Sequence, residues 1–207
     1  MPHLDTPGQI VILNGTPRSG KSSIATMIQN TFDGVWINIG VDQFMQMTPK
    51  RYRPGIGLRP GGERPDLEPL IVILYRALYG AISVHSRLGL NVVVDVGHHD
   101  IYSVPLGILP DCARQLKDSP VLFVGVRCPI DVIMDRRRAT WGVGDSDDGS
   151  IPKPVSLWQK AVHSPGIYDL EIDTSVFSPQ ACADLIRQRL RNGPPPSAFE
   201  RLAAMDL

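Results

Sequence analysis

The run Gly15-Thr16-Pro17-Arg18-Ser19-Gly20-Lys21-Ser22, followed by Ser23, fits the spacing GxxxxGK[ST] in full, and it constrains this chain more than any other feature. It stands directly after an apolar run, 9–14, and directly before a helical pattern, 21–32. A glycine-bounded turn between a strand and a helix lets successive backbone N–H groups curl toward one anion, and the helix adds the positive end of its dipole. At this spacing Lys21 reaches the β- and γ-phosphates of a nucleotide, and the Ser22 hydroxyl completes a Mg²⁺ shell. A chance match in a glycine-containing turn has no reason to carry both the strand and the helix with it. Gly15, Thr16, Pro17, Arg18, Ser19, Gly20, Lys21, Ser22 and Ser23 are therefore expected to hold ATP, with Mg²⁺ as cofactor.

The rest of the chain supplies a setting for such a turn. Near-continuous Val, Ile and Leu in 9–14, 35–39, 91–96 and 121–126 suits parallel strands covered on both faces, and 168–174 alternates as an edge strand does. Between them, 67–88 carries apolar residues at 67, 70, 71, 74, 78, 81, 82 and 88, close to the helical period, with Gly89 as its stop. Further helices are expected over 110–117, 129–138 and 179–191. The order βαβαβαβαβ predicts an α/β three-layer sandwich around a five-stranded parallel sheet. Two stretches rich in glycine, proline or charge read as functional loops, a substrate loop at about 48–65 and a lid at about 136–154. The kinase-like domain is expected to span 1–192, with 193–207 as a C-terminal tail suited to packing or an oligomer contact.

With 207 residues, 43% of them hydrophobic, the chain is long enough for a core of its own. Lysine plus arginine and aspartate plus glutamate both total 21, so no global field favours nucleic acid or a membrane surface. The apolar runs read as too short to cross a bilayer, and the N-terminus shows neither a basic stretch nor a cleavage site, so a cytoplasmic protein is expected. Cys112, Cys128 and Cys182 form no CxxC pair and read as reduced core thiols.

Other candidates gather around the same crevice. Asp95 ends the run Val92-Val93-Val94-Asp95, where a carboxylate either holds Mg²⁺ with Ser22 or caps the next turn. Asp42, in Gly40-Val41-Asp42, lies just past the second strand, where ligands of open α/β sheets bind. It is placed either to take the proton of an acceptor hydroxyl or to cap a helix over 43–47. In the cluster Arg136-Arg137-Arg138, Arg136 is the candidate for neutralising charge during transfer. Neighbours on a helix point about 100° apart, so at least one of the three is expected on the surface or paired with Asp135 or Asp145. Lys50, Arg51, Arg53, Arg59 and Arg64 make the substrate loop basic, and Arg53 and Arg59 are candidate contacts to an anionic acceptor. His98 and His99 are candidate substrate contacts rather than metal ligands, because Mg²⁺ prefers oxygen.

Up to about Thr174 the chain resembles the chloramphenicol phosphotransferase family. The resemblance rests on Ile12-Leu13-Asn14-Gly15 leading into Gly20-Lys21-Ser22, on Gly40-Val41-Asp42, on Val94-Asp95, and on Val124-Gly125-Val126-Arg127-Cys128. Val162-His163 followed by Tyr168-Asp169-Leu170-Glu171-Ile172-Asp173-Thr174 completes it. It implies a fold like that of nucleotide and shikimate kinases, Asp42 as the general base, and a lid arginine at Arg136. The chain departs from the family in carrying Thr140, Val143 and an acidic loop where the family lid has further arginines, and in its basic substrate loop.

The reading that follows is an ATP-dependent O-phosphotransferase acting on a small-molecule hydroxyl, with Asp42, Lys21 and Arg136 as catalytic residues and Ser22 and Asp95 on the metal. Such an enzyme needs no nucleic-acid or membrane partner and is compatible with a homo-oligomer. Two alternatives stay open: a nucleotide, nucleoside or sugar kinase with an anionic substrate, and a nucleotide-gated regulatory binding protein.

Overall fold

Five apolar runs pair as parallel strands in the computed structural model, which describes residues 6–53, 59–61, 64–142, 146 and 149–205. They are β1 (Ile10–Asn14), β2 (Trp36–Asn38), β3 (Asn91–Val96), β4 (Val121–Arg127) and β5 (Leu170–Asp173), in the order β2-β3-β1-β4-β5. Alternate residues of the inner strands feed two cores. Ile10, Ile12, Val92, Val94 and Phe123 enter one, and Val11, Leu13, Val93, Leu122 and Val124 the other. β2 and β5 are the edges, as 168–174 predicted for β5. Both are shorter than their apolar runs, since each pairs on one side only.

Helices α1 (Lys21–Thr31) and α7 (Pro179–Asn192) cover one face through Ile24, Ile28, Cys182 and Ile186. The other is covered by α3 (Glu68–Arg87), α4 (Ile108–Gln115) and α8 (Ala198–Ala203). Short α2 (Val41–Met45) follows β2. The pair α5 (Ile130–Trp141) and α6 (Lys153–Ala161) encloses a small separate core of Cys128, Ile133, Met134 and Val155. All three cysteines are buried and free, as expected of core thiols.

Two expectations change, and a third gains detail. The stretch expected as an irregular lid to 154 gives way at Lys153 to α6, because proline in a first turn, as at Pro154, does not break a helix. The stretch after 192 packs on the domain, one of the two roles expected for it. Asp169 Oδ1 accepts from the backbone N–H groups of Ser197 (2.7 Å) and Ala198 (3.0 Å), which seats α8 with Phe199 and Leu202 in the core. Finally, α3, at 20 residues, is long and apolar enough to cross a bilayer by length and composition alone, contrary to the reading of short runs. Its inner face, with Ile71, Tyr75, Leu78, Tyr79 and Ile82, lies in the core of the sheet.

Candidate active site

Parallel strands release their following segments at one end of the sheet, and five such segments surround a cavity of about 630 Å³ there. Gly15, Pro17, Arg18, Gly20, Lys21, Ser22 and Ser23 form its phosphate side. Thr16 and Ser19, expected with them, are buried and do not line the cavity. The loop is tightly folded. Gly20 initiates α1 at φ 95°, a left-handed conformation that glycine adopts without strain. Arg18 also has a positive φ, 69°, which a residue with a Cβ adopts only when its surroundings hold it.

Those surroundings are Arg136 and Thr174. Arg136 Nη1 donates to the carbonyl of Arg18 (3.3 Å) and to Thr174 Oγ1 (3.0 Å), and Nη2 donates to the Thr174 carbonyl (2.7 Å). Thr174 Oγ1 in turn donates to the Ser19 carbonyl (2.7 Å). Arg136 therefore lines the cavity as expected and also clasps the phosphate loop to β5. It lies in the body of α5 rather than at its end. Arg138 points outward and pairs with Asp135 at 2.7 Å, which answers the expectation that the three arginines diverge. Arg137 feels the charge of Arg18, and burial together with that repulsion lowers its guanidinium pKa.

Lys21 Nζ rests on the carbonyls of Gly15 (2.9 Å) and Thr16 (2.7 Å). Burial pulls its ammonium down from 10.5 to about 8, against the opposing pull of Asp95 and then Asp42. Ser22 Oγ donates to Asp95 Oδ2 at 2.6 Å, so the two oxygens expected on Mg²⁺ are adjacent. Asp95 also explains Gly40. A Cβ there would stand 2.1 Å from Asp95 Oδ1, so glycine lets the chain after β2 pass the carboxylate where it lies and turn into α2. Gly40 is the N-cap of α2 and Asp42 its second residue, so Asp42 is not the cap; its side chain lines the cavity.

Beyond Asp42 the cavity becomes apolar and aromatic, with Val41, Met45, Ile71, Tyr75, Tyr102 and Trp158 in its wall. His99 joins them, its ring 4.4 Å from Tyr102 and edge-on to Trp158 at 4.9 Å, with Nδ1 accepting from the Ile101 N–H. The loop bearing His99 and Tyr102 is held by two carboxylates. Asp100 Oδ1 accepts from the N–H groups of Leu106 and Gly107, and buried Glu68 accepts from the Ser103 N–H and hydroxyl.

His98 does not reach this wall. It is 2% exposed, its Nε2 meets Tyr79 Oη at 2.7 Å, and burial brings its imidazole down to about 3. Consecutive residues leaving a strand point in opposite directions, so only one of the two histidines faces the cavity. The basic loop divides in the same way. Arg59 lines the cavity, whereas Arg53 Nη2 donates to the carbonyls of Gln46 (3.0 Å) and Thr48 (3.4 Å) at the end of α2. Gly142 and Gly149, bounding the acidic lid loop, are described; Val143 and Asp145 lie outside the described residues. Sequence reading missed Tyr75, Tyr102 and Trp158 in the aromatic wall, and Phe177 and Pro179, which also line the cavity.

Residues 8–191 match the family model described as chloramphenicol phosphotransferase-like protein. A Mycobacterium tuberculosis protein provisionally named an O-phosphotransferase, in strains H37Rv and CDC 1551, is 25% identical over 213 residues, covering 94% of this chain and 88% of that one. Among solved structures, the M. tuberculosis APS kinase in complex with AMPPNP and APS superposes with a TM-score of 0.64 at 15% identity, covering 90% of this chain and 99% of that one. Shikimate kinase from Acinetobacter baumannii, in complex with shikimate, gives 0.54 at 12% identity over 88% of this chain and 92% of that one. At these identities the structural likeness is one of fold, a P-loop kinase sheet with its helices.

Proposed function

This chain belongs to the chloramphenicol phosphotransferase-like family, and from that premise we propose that it moves the γ-phosphoryl group of ATP to a hydroxyl of a small molecule. The observation that carries the reading is Asp42, which shares one cavity with the phosphate loop and lies close enough for its charge to act on Lys21. A pure nucleotide switch has no need of a carboxylate there, since Gly40 and not Asp42 caps α2.

In the proposed reaction the acceptor O–H gives its proton to the Asp42 carboxylate while its oxygen attacks the γ-phosphorus in line. The bond from that phosphorus to the β–γ bridging oxygen breaks, and ADP leaves with the negative charge. Lys21, the loop N–H groups and the start of α1 meet that charge. Arg136 adds a positive neighbour and keeps the loop in shape through Arg18 and Thr174. Ser22 Oγ and Asp95 Oδ2 are hard oxygen donors of the kind Mg²⁺ takes. Among the described residues no group of three or more His, Cys, Asp or Glu is set to hold a metal, so the nucleotide phosphates would complete the shell. Bound Mg²⁺ supplies charge neutralisation on the phosphate oxygens.

The acceptor wall favours a compound with a substantial apolar or planar body over a sugar phosphate. Arg59 is the one cation of the basic loop placed on that wall among the described residues. Label transfer from [γ-³²P]ATP into a panel containing chloramphenicol, other aromatic alcohols, sugars, nucleosides and nucleoside monophosphates tests the reading. A labelled phosphate ester among the apolar alcohols supports it. ATP consumption driven by nucleoside monophosphates moves the chain to the nucleotide-kinase alternative, and slow hydrolysis with every acceptor counts against both.

A further inference from the structure

Three pieces of sequence that carry the family resemblance have no part in the reaction as proposed: Asn14 before the phosphate loop, the pair Val162-His163, and Tyr168. Up to 154 positions apart, they meet at one node. Asn14 is 1% exposed and ends β1, its backbone fixed between Val96 of β3 and Gly125 of β4. Its Nδ2 donates to the Val162 carbonyl (2.8 Å) and to Tyr168 Oη (2.8 Å), and its Oδ1 accepts from the His98 N–H (2.8 Å). A carbonyl needs a donor and an N–H an acceptor, so only one orientation of the amide satisfies this set. Tyr168 Oη, having accepted from Asn14, donates to His163 Nδ1 at 2.8 Å. That nitrogen is able to accept because burial, and after it the charge of Arg127, brings the imidazole down to about 4 and leaves it neutral.

Both ends of the Asn14 amide lead to the aromatic wall of the cavity. Val162 is the C-cap of α6. Its N–H donates to the Trp158 carbonyl (3.0 Å), and its own carbonyl, which a helix end leaves unpaired, is taken up by Asn14. His98 lies between Gly97 and His99, so Oδ1 of the same amide holds the segment that Trp158 packs against. The Trp158 ring stands edge-on to His99 at 4.9 Å. It also covers Gly97 so closely that a Cβ there would be 3.0 Å from the ring and 3.2 Å from the Gly15 carbonyl oxygen.

We propose, on the reading of this wall as the acceptor side, that Asn14 is a positioning residue for the acceptor. Nδ2 holds the end of α6, Oδ1 holds the His99 segment, and together they set Trp158 and His99 at a fixed distance from the phosphate loop that begins at the next residue. Tyr168 and His163 keep the amide in that orientation. Aspartate would supply the oxygen without the two N–H donors, and an apolar side chain would strand a buried carbonyl and a buried N–H. In-line transfer is sensitive to such placement, since a shift of about 1 Å costs about 10²-fold in rate.

Fluorine NMR of the full chain carrying fluorotryptophan reads the wall without any acceptor. The Trp158 resonance, identified by its loss in Trp158→Phe, should move or broaden in Asn14→Ala and, less strongly, in Tyr168→Phe. The second variant keeps the ring that packs on Gly125 and Phe123, and it decides alone if Asn14→Ala does not fold. The Trp36 resonance, from the core on the other face of the sheet, should stay in place. AMPPNP affinity by titration calorimetry should remain within about twofold, because the N–H groups of the phosphate loop are untouched. With chloramphenicol as the acceptor probe, kcat/KM should fall by about 10- to 100-fold in Asn14→Ala. Tyr168→Phe should then add nothing in a Trp158→Ala chain, since both act through one ring. An unmoved Trp158 resonance in either variant overturns the proposal. Trp158 and Trp36 resonances that move together overturn it too, since they reduce Asn14 to general packing, and so does a loss of AMPPNP affinity of about tenfold in Tyr168→Phe. A wild-type chain that leaves chloramphenicol unlabelled counts against that alcohol as acceptor, and the spectrum and the titration still decide the role of Asn14.

Discussion

On its phosphate side the cavity is walled mainly by one continuous stretch, Gly15 to Ser23, whereas on the proposed acceptor side Val41, Met45, Ile71, Tyr75, Tyr102 and Trp158 come from three helices and a loop. The first side works largely through backbone N–H groups and a helix dipole, which any sequence of the right turn geometry supplies. The second works through side chains that the fold alone brings together. Nucleotide handling and acceptor choice should therefore be separable by mutation.

The largest effects should come from the one residue of each side that meets the reacting groups. Lys21→Met should weaken ATP binding and cut kcat/KM together, by about 10³-fold or more, since in the proposed reaction the loop loses the ammonium that meets the β- and γ-phosphates. Asp42→Asn should lower kcat by about 10²- to 10⁴-fold while ATP affinity stays within about twofold, because the general base proposed there acts on the acceptor proton and not on the nucleotide. Isothermal titration with a nonhydrolysable ATP analogue, beside steady-state kinetics, reads both. Equal losses of ATP affinity in the two variants would show that the halves are not independent.

Gly40→Ala should come next, and it blurs the division on purpose. Its new methyl group would lie 2.1 Å from Asp95 Oδ1, so either the carboxylate leaves Ser22 or α2 moves with Asp42. Overpacking of this kind costs about 1–3 kcal/mol, which should appear as a lower Tm and a loss of roughly 10- to 100-fold in kcat/KM. Wild-type kinetics in this variant would mean that the Asp95–Gly40 contact does not position the site. Trp158→Ala is gentler and confined to one side. Removing a wall aromatic should raise the acceptor KM by about tenfold, in line with the few kcal/mol of apolar contact available, and leave ATP affinity unchanged. A matching loss of ATP affinity would place Trp158 on the wrong side of the cavity.

The same division explains what could be read in advance. The phosphate loop, β1 and α1 are contiguous, so spacing and hydrophobic period reveal them without tertiary knowledge. The pairing of Arg138 with Asp135 also follows from local helix geometry. Trp158 escaped because α6 begins with Lys153-Pro154 inside a charged, glycine-rich neighbourhood, although Val155, Trp158 and Val162 already recur at i, i+3 and i+7. His98 and Arg53 were read as substrate contacts on sequence nearness. Nothing in a linear pattern says that His98 turns toward Tyr79, or that Arg53 curls back onto the carbonyls of Gln46 and Thr48. Tyr75 and Tyr102 lie 27 positions apart in sequence yet share one wall, and that convergence exists only once α3 and the loop after β3 are packed.

The smallest predicted effect probes the charge that links the two sides. Lys21, at about 8, is mostly protonated at pH 7 and half deprotonated one unit higher. A bound polyphosphate favours the ammonium, so its pKa rises in the complex and ATP binding above pH 8 must take up a proton. By that linkage ATP affinity should fall about tenfold from pH 7 to pH 9, with most of the fall above pH 8. His98 and His163, at about 3 and about 4, are neutral throughout this window and do not confuse it. Fold stability should respond with the opposite sign. The folded free state holds its proton less tightly than the unfolded chain, whose lysine titrates near 10.5, so the cost of burying the ammonium is full below pH 8 and is relieved as pH rises toward 10.5. Titration calorimetry at pH 9 in two buffers of different ionisation enthalpy measures the proton uptake directly. An uptake near zero, or an affinity flat from pH 7 to pH 9, would mean that Lys21 keeps its ordinary pKa and that Asp42 and Asp95 together balance its burial.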